Sequence, residues 1–180
     1  TGVALLVVSA LDLPLGPPTC LAALATAALV LLTTRSSPLP ILQGVTWSVL
    51  LLVAGLFVLV EGLNHTGVVA ILAGILPHLP PALAGAVLAV GCNLMNNLPA
   101  GLLASSVVAA AHPSQTMVDS LLIGVDLGPN LAVTGSLATI LWLNALRREG
   151  EQVNSRQFLQ VGAKVMLPAL ALALLLRSLV

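Results

Sequence analysis

The sequence predicts an all-α integral membrane protein, on grounds of composition and pattern. Apolar residues make up 58% of the 180 residues and charged residues 7%, against roughly 45 to 50% and about 25% in soluble domains. Residues 17–34 and 46–60 contain no charged residue and approach the length of about 20 residues that a helix needs to cross a bilayer. Their apolar residues run continuously instead of alternating, which favours helices over membrane strands. The formal charge is zero, so no basic surface suggests a nucleic acid as partner.

Residues 1–61 are expected to form spanning scaffold helices. Residues 2–13 look like the end of one such helix, closed by Asp12 and by a turn at Gly16-Pro17-Pro18. Two longer apolar runs, 19–34 and 41–60, lie on either side of a polar turn that contains Arg35. Residues 62–81 are apolar in a short run only and rich in proline, so they predict an interfacial segment instead of a span.

Residues 82–111 form two apolar limbs around a polar tip at 95–99. Each limb has about 14 residues and a helical length of roughly 21 Å, which is short of the bilayer thickness. The limbs are either one kinked span or a re-entrant helical hairpin. Lys and Arg concentrate in cytoplasmic loops, and only a hairpin places Arg35 on the same face as Arg147, Arg148 and Arg156. We therefore expect a re-entrant hairpin that opens to the exterior.

A second polar interruption divides the apolar segment 116–147 at residues 126–130, where Asp126 is followed by Gly128, Pro129 and Asn130. This pattern predicts a discontinuous transmembrane helix, whose second part begins near Leu131. The last transmembrane helix is expected at 157–177.

The two interruptions together predict a solute site. Non-helical backbone at membrane depth is tolerated only where it is buried in protein or lines a water-filled cavity, and transporters bind polar solutes at broken helices. The expected substrate-binding residues are Asn93, Asn96, Asn97, Asn130, Thr134 and Ser136. Asp126 is the carboxylate at a predicted break, and an ionisable residue within a membrane indicates an ion or proton pathway. A desolvated carboxylate binds protons more tightly, so Asp126 is expected to couple transport to protons.

Simpler roles are open for the same residues. Asp126 could cap the helix that follows it, and Asn96 and Asn97 could cap the helices at the hairpin tip. Thr134 and Ser136 could form hydrogen bonds within their own helix.

An enzymatic role and a thiol site are not expected. Asp119 and Asp126 could in principle serve an intramembrane aspartyl hydrolase, but their spacing on one helix separates them by about 10 Å, too far to share one water. Cys20 and Cys92 lie in apolar surroundings without a spaced partner, so we expect both to be buried as small hydrophobic residues.

Three sequence blocks carry a resemblance to a known family. They are Leu56-Phe57-Val58-Leu59-Val60-Glu61, Met95-Asn96-Asn97-Leu98-Pro99-Ala100-Gly101, and Gly124-Val125-Asp126-Leu127-Gly128-Pro129-Asn130 with its continuation through Val133-Thr134-Gly135-Ser136-Leu137-Ala138-Thr139 to Leu141-Trp142 and Leu146-Arg147-Arg148. Together they resemble the bacterial arsenite/antimonite efflux permeases (arsenical pump membrane proteins) of the ion transporter superfamily. The last block is the specific one, and the resemblance covers most of the chain.

The resemblance implies the carboxyl-terminal half of a multi-pass permease of the bacterial inner membrane, built from two inverted repeats. In such an elevator-type transporter the hairpin and the broken helix of a repeat move together against a scaffold. It further implies export of arsenite and antimonite from the cytoplasm by proton antiport, without a cofactor. Asn96, Asn97 and Asp126 would then bind the arsenic or antimony of the transported solute. The implied partners are the amino-terminal half of the permease, protons, the lipid bilayer and, in some members, a soluble ATPase.

Two other functions are open. A carrier of the same superfamily could transport sodium with protons, or a carboxylate, although a dicarboxylate carrier would be expected to have a Ser-Asn-Thr tip where this chain has Met95-Asn96-Asn97-Leu98-Pro99. A non-transporting membrane subunit would require both breaks to face packed protein. The chain starts at Thr1 without a methionine, so we expect it to be part of a longer polypeptide.

Overall fold

The computed structural model describes residues 2–11, 14, 16–35, 37–44 and 47–179, and every regular element in these ranges is a helix. This confirms the all-helical prediction for the described residues. The chain divides into two compact units, Thr1–Leu50 and Leu51–Val180. The first unit holds α1 (Gly2–Ala10), α2 (Gly16–Thr34), α3 (Leu39–Gly44) and the start of α4 (Trp47–His65), most of which belongs to the second unit.

The first unit differs from the sequence prediction in two details. Gly16-Pro17-Pro18 is the first turn of α2 and not a separate turn, because proline at the start of a helix lacks only an N–H that has no helical partner there. Cys20 is exposed and not buried, since none of the residues of α2 is buried against protein. Asp12 lies outside the described residues.

Three described helices are long and apolar enough to cross a membrane. They are Gly16–Thr34, Trp47–His65 and the last helix, α10 (Ser155–Leu179). Large apolar side chains such as Leu51 and Leu172 point away from the protein, with exposed fractions of 76% and 63%. Such a surface is stable in lipid but not in water, so the chain is an integral membrane protein.

The second unit continues with shorter helices around two polar interruptions. They are α5 (Val68–Ile75), α6 (Pro81–Met95), α7 (Asn97–Ala111), α8 (Gln115–Leu127) and α9 (Leu137–Arg148), with 3-10 turns at Leu76–His78, Gly128–Asn130 and Val133–Gly135. We call residues 128–136 the break. The helix after the break begins at Leu137 and not near Leu131, because residues 131–136 form an irregular segment that contains the turn Val133–Gly135.

Helices α6 and α7 form an antiparallel pair that turns at one residue. Asn96 joins them with a φ of 77° and a ψ of 149°, a backbone conformation that residues other than glycine rarely adopt. Ala84 near the start of α6 and Val107 near the end of α7 belong to one buried cluster with Met117 and Leu121 of α8. The start of α6, the end of α7 and the start of α8 therefore lie at the same end of the unit.

Helices α6 and α8 run parallel along a seam of small residues. A Cβ added at Gly85 would overlap the carbonyl of Ser120, and one added at Gly124 would overlap the carbonyl of Gly85. Farther along, Gly128 lies directly against Ala89, which has an exposed fraction of 0%. Small residues at four-residue spacing let helix backbones approach closely in a membrane. The seam sets the distance between α6 and the break.

Helix α10 packs against the other side of the α6 and α8 pair. Its buried residues Met166, Leu170 and Leu174 form a second cluster with Ala89 of α6. Gly162 of α10 lies against the carbonyl of Asn130, which leaves no room for a Cβ. The break therefore contacts both α6 and α10.

Candidate functional site

Asn93 connects α6 to the break through its side chain. Its Nδ2 donates to the carbonyl oxygen of Ala89 at 2.8 Å and to that of Gly128 at 2.7 Å. Its Oδ1 accepts from the backbone N–H of Ala132 at 2.8 Å. The carbonyl oxygen of Asn93 also accepts a hydrogen bond from Oγ1 of Thr134 at 3.2 Å. One residue at the end of α6 thus makes three contacts with the break.

The tip of the α6 and α7 pair lies beside the same segment. Asn96 Nδ2 donates to the carbonyl oxygen of Thr134 at 3.0 Å, and its Oδ1 caps α7 by accepting from the N–H of Leu98 at 3.2 Å. Asn97 is partly exposed, and among the described residues its side chain forms no hydrogen bond. Asn96 therefore has the capping role left open above, whereas the amide of Asn97 is available to a ligand.

Each polar side chain of the break forms at least one hydrogen bond to the protein backbone. Asn130 Nδ2 donates to the carbonyl oxygen of Leu127 at 2.9 Å, and its side chain is exposed. Ser136 Oγ caps α9 by accepting from the N–H of Ala138 at 3.2 Å. This is a local hydrogen bond to its own helix, the simpler role considered for Ser136. Thr134 does not bond within a helix of its own, since its hydroxyl donates to Asn93. The oxygen of Asn130 and the hydroxyl hydrogen of Ser136 remain for a ligand.

Asp126 lies in the last turn of α8, immediately before the break. It is exposed, and its carboxylate makes no hydrogen bond or ion pair within the described part of the chain. It does not cap the following helix, because α9 begins at Leu137 and is capped by Ser136. The capping alternative for Asp126 is therefore wrong, and its carboxylate is free.

Asp119, at the other end of α8, is paired with the last helix. Its Oδ2 lies 2.7 Å from Nε of Arg177, and its Oδ1 accepts from Nε2 of Gln115 at 2.8 Å. The exposed fractions of the Arg177 and Asp119 side chains are 23% and 30%, so the ion pair is partly buried. Asp119 and Asp126 lie at opposite ends of α8, about 10 Å apart along the helix axis, too far to bind one water together as an aspartyl hydrolase would require.

A cavity of about 710 Å³ extends from the break along α10. Its lining includes Leu127 and Asn130 at the break and Gln152 and Gln157 in and just after the loop between α9 and α10. Its walls are mostly apolar and include Trp142. In the part of the chain that the structure describes, no Lys, Arg, His, Asp or Glu lines it. The cavity connects one amide of the break with the loop region.

The seam glycines are site-forming residues that the sequence analysis did not single out. Gly128 and Gly135 bring the backbone of the break against Ala89 and Asn93, and a Cβ on either would collide with these neighbours. The signal was present as small residues at four-residue spacing, Gly85 with Ala89 and Ser120 with Gly124 and Gly128. In a sequence rich in Ala and Gly, this spacing identifies a seam only once its partner helix is known.

Comparisons with known proteins agree on a transporter. The family model described as citrate transporter (CitMHS) matches residues 1–128. The arsenical pump membrane protein of Escherichia coli K12 is 30% identical over 145 residues, which are 74% of this chain and 34% of that protein. The protein of the same name from Yersinia enterocolitica is 29% identical over 176 residues, or 89% of this chain and 41% of that protein.

A further relative has no assigned solute. An uncharacterized transporter of Mycobacterium tuberculosis is 33% identical over 146 residues, which are 73% of this chain and 34% of that protein. The chain thus spans between a third and two fifths of the length of these curated relatives. No solved structure matches it. Because the family model covers well over half of the chain, the chain belongs to the citrate transporter (CitMHS) family of membrane transporters.

Proposed function

We propose that the chain forms part of a secondary transporter that exports arsenite and antimonite from the cytoplasm in exchange for protons. The relatives named arsenical pump membrane protein support this solute, and they match over about three quarters or more of the chain. In this proposal, α6 and α7 are a re-entrant hairpin, and α8, the break and α9 are the discontinuous helix of one elevator-type repeat. The other repeat would come from the amino-terminal half of a multi-pass inner-membrane permease.

The observation that carries the proposal is the kind of polar group left free around the break. These groups are the amide of Asn97, the oxygen of Asn130, the hydroxyl hydrogen of Ser136 and the carboxylate of Asp126. None of the described residues that line the cavity at Asn130 is cationic. A neutral hydroxide of trivalent arsenic needs only such hydrogen-bonding partners. A solute with several carboxylates would be desolvated there without a compensating charge, which is costly.

Asp126 is the proposed proton carrier. Its carboxylate is unpaired among the described residues and lies at the end of α8 beside the break. A carboxylate in a membrane pathway that has no fixed counter-ion can take up and release a proton as its surroundings change. Proton binding at Asp126 would alternate with solute binding at Asn96 and Asn97. A soluble ATPase is a further proposed partner at the cytoplasmic face.

The family description favours a second candidate, a carboxylate carrier. The citrate transporter model matches residues 1–128, which include the hairpin tip but only the first residue of the break. A carrier of this kind would need cations near the break, supplied by the remainder of the transporter or by a co-transported ion such as sodium.

Uptake into everted bacterial membrane vesicles that contain the intact protein would separate these functions. With an acidic vesicle interior, we expect uptake of arsenite that antimonite inhibits, that citrate does not inhibit and that a protonophore abolishes. Vesicles without the protein are the control. Uptake of citrate in place of arsenite would overturn the proposed solute, and arsenite uptake that persists after collapse of the pH gradient would overturn the proton antiport.

A further inference from the structure

The side chain of Asn93 has no hydrogen to offer a solute. An asparagine amide carries two N–H donors and one acceptor oxygen. Both donors are used, on the carbonyl oxygens of Ala89 and Gly128, and the oxygen accepts from the N–H of Ala132. These distances of 2.7 to 2.8 Å are those of well-formed hydrogen bonds.

Two of its partners are backbone groups of the break. Gly128 begins the first 3-10 turn, and Ala132 has an extended backbone between the two turns. Buried backbone N–H and C=O groups that have no helical partner need another hydrogen-bond partner. An unpaired group is most costly within the hydrocarbon region of a membrane. Asn93 supplies those partners from a neighbouring helix.

Packing closes the space between Asn93 and the break. A Cβ placed on Gly135 would lie 2.9 Å from Oδ1 of Asn93, and one placed on Gly128 would overlap Ala89. Cys92, the neighbour of Asn93 in α6, has an exposed fraction of 0%. Protein atoms therefore fill the space between Asn93 and Gly135 and between Ala89 and Gly128.

We propose that Asn93 is a positioning residue, which holds the hairpin tip and the break together as one unit and does not contact the transported solute. This replaces the substrate-binding role expected for Asn93. The inference rests on the proposed function for the claim that the hairpin tip and the break bind a solute together. The connection between α6 and the break can be measured without any solute.

Cys92 is a native reporter of that connection. In the intact protein with Cys20→Ser, we expect a membrane-permeant maleimide to modify Cys92 slowly. Asn93→Leu removes all hydrogen bonds of the side chain at similar volume, and Asn93→Asp removes both donors. Each should raise the rate of modification about tenfold or more. The matched control is Asn97→Leu at the neighbouring tip position, where no side-chain hydrogen bond is lost, and it should leave the rate unchanged.

Arsenite transport by the same variants distinguishes a positioning residue from a ligand. Asn93→Leu should lower the maximal uptake rate at least tenfold with KM changed less than about twofold, whereas Asn97→Leu should raise KM. Asn93→Leu introduces no charge into the membrane, so it is the variant to use should Asn93→Asp fail to insert. Slow Cys92 modification in Asn93→Leu, with a raised KM and an unchanged maximal rate, would overturn the inference. Absence of arsenite uptake by the parent protein would overturn the proposed function alone, because the Cys92 rates would still decide the role of Asn93.

Discussion

Asn93 donates a 2.7 Å hydrogen bond to the carbonyl oxygen of Gly128, a residue that lies 35 positions farther along the chain. The same glycine lies against Ala89, one helical turn before Asn93. Two residues on one face of α6, Ala89 and Asn93, thus contact Gly128, the first by close packing and the second by a hydrogen bond. The polar tip of α6 and α7 and the break are consequently held in a fixed relation, which a shared solute site requires.

The close contact at Gly128 predicts a strong effect of one added methyl group. Gly128→Ala places a Cβ into Ala89, and overpacking of this kind typically costs about 1 to 3 kcal/mol. We expect a lower midpoint temperature for the detergent-solubilised protein, measured by size-exclusion chromatography after heating, together with reduced uptake.

Gly91→Ala is the matched control on α6. A Cβ at Gly91 meets no atom within 4 Å, and alanine favours a helix over glycine by roughly 0.5 to 1 kcal/mol. This variant should be as stable as the parent or slightly more stable. Equal midpoint temperatures for Gly128→Ala and Gly91→Ala would contradict the packing of α6 against the break.

The ion pair between Asp119 and Arg177 predicts a charge dependence of the α8 and α10 contact. Asp119→Asn and Arg177→Gln should each lower the midpoint temperature, because each leaves one partly buried charge without its partner. The exchange Asp119→Arg with Arg177→Asp should recover part of the loss. Glu61→Gln is the control, because Glu61 pairs with His65 within α4 and both side chains are largely exposed. Additive effects of the single changes, with no recovery in the exchange, would show that the pair contributes nothing.

Composition and the pattern of apolar residues were sufficient to predict an all-helical membrane protein. They were not sufficient to predict which residues contact each other. A high apolar fraction with continuous runs predicts membrane helices whatever their packing, and the described residues are indeed helical. The role of Asn93 depends on Gly128 and Ala132, 35 and 39 residues away, and no local pattern encodes such a pairing. The pairing of Arg177 with Asp119 is equally non-local, because Asp119 lies 58 residues earlier.

The first residues of two helices, α2 and α9, could not be predicted from the sequence either. Gly16-Pro17-Pro18 fits a turn and a first helical turn equally well, since proline is compatible with both. The apolar residues from Leu131 suggested a helix, yet tertiary bonds from Ala132 and Thr134 to Asn93 hold this segment in an irregular conformation. Tertiary hydrogen bonds here override local helix propensity.

Asp126→Asn is expected to abolish proton-coupled arsenite uptake while the protein remains in the membrane. The exposed carboxylate makes no bond among the described residues, so its replacement by an isosteric amide should not disturb the fold. The measurement is arsenite uptake into everted vesicles against the imposed pH gradient, with the amount of protein checked by immunoblot. Glu61→Gln removes an exposed carboxylate on α4, outside the site, and should retain full coupling. Normal gradient-dependent uptake by Asp126→Asn would rule out the proton-carrier role.

The proposed re-entrant hairpin predicts which face of the membrane the loop between α7 and α8 occupies. If α6 and α7 return to the side from which they enter, Ser114→Cys lies outside the cell, and Glu151→Cys in the loop after α9 lies in the cytoplasm. Both positions are exposed. In the Cys20→Ser background, where Cys92 is buried, a membrane-impermeant maleimide added to whole cells should modify Ser114→Cys and not Glu151→Cys. A single kinked span between Pro81 and Ala111 would instead leave Ser114→Cys unmodified until the cells are opened. The pair separates the two topologies when the loop with Arg35 is cytoplasmic, because α8 and α9 together cross the membrane once. A single kinked span would then place Ser114 in the cytoplasm and Glu151 outside the cell.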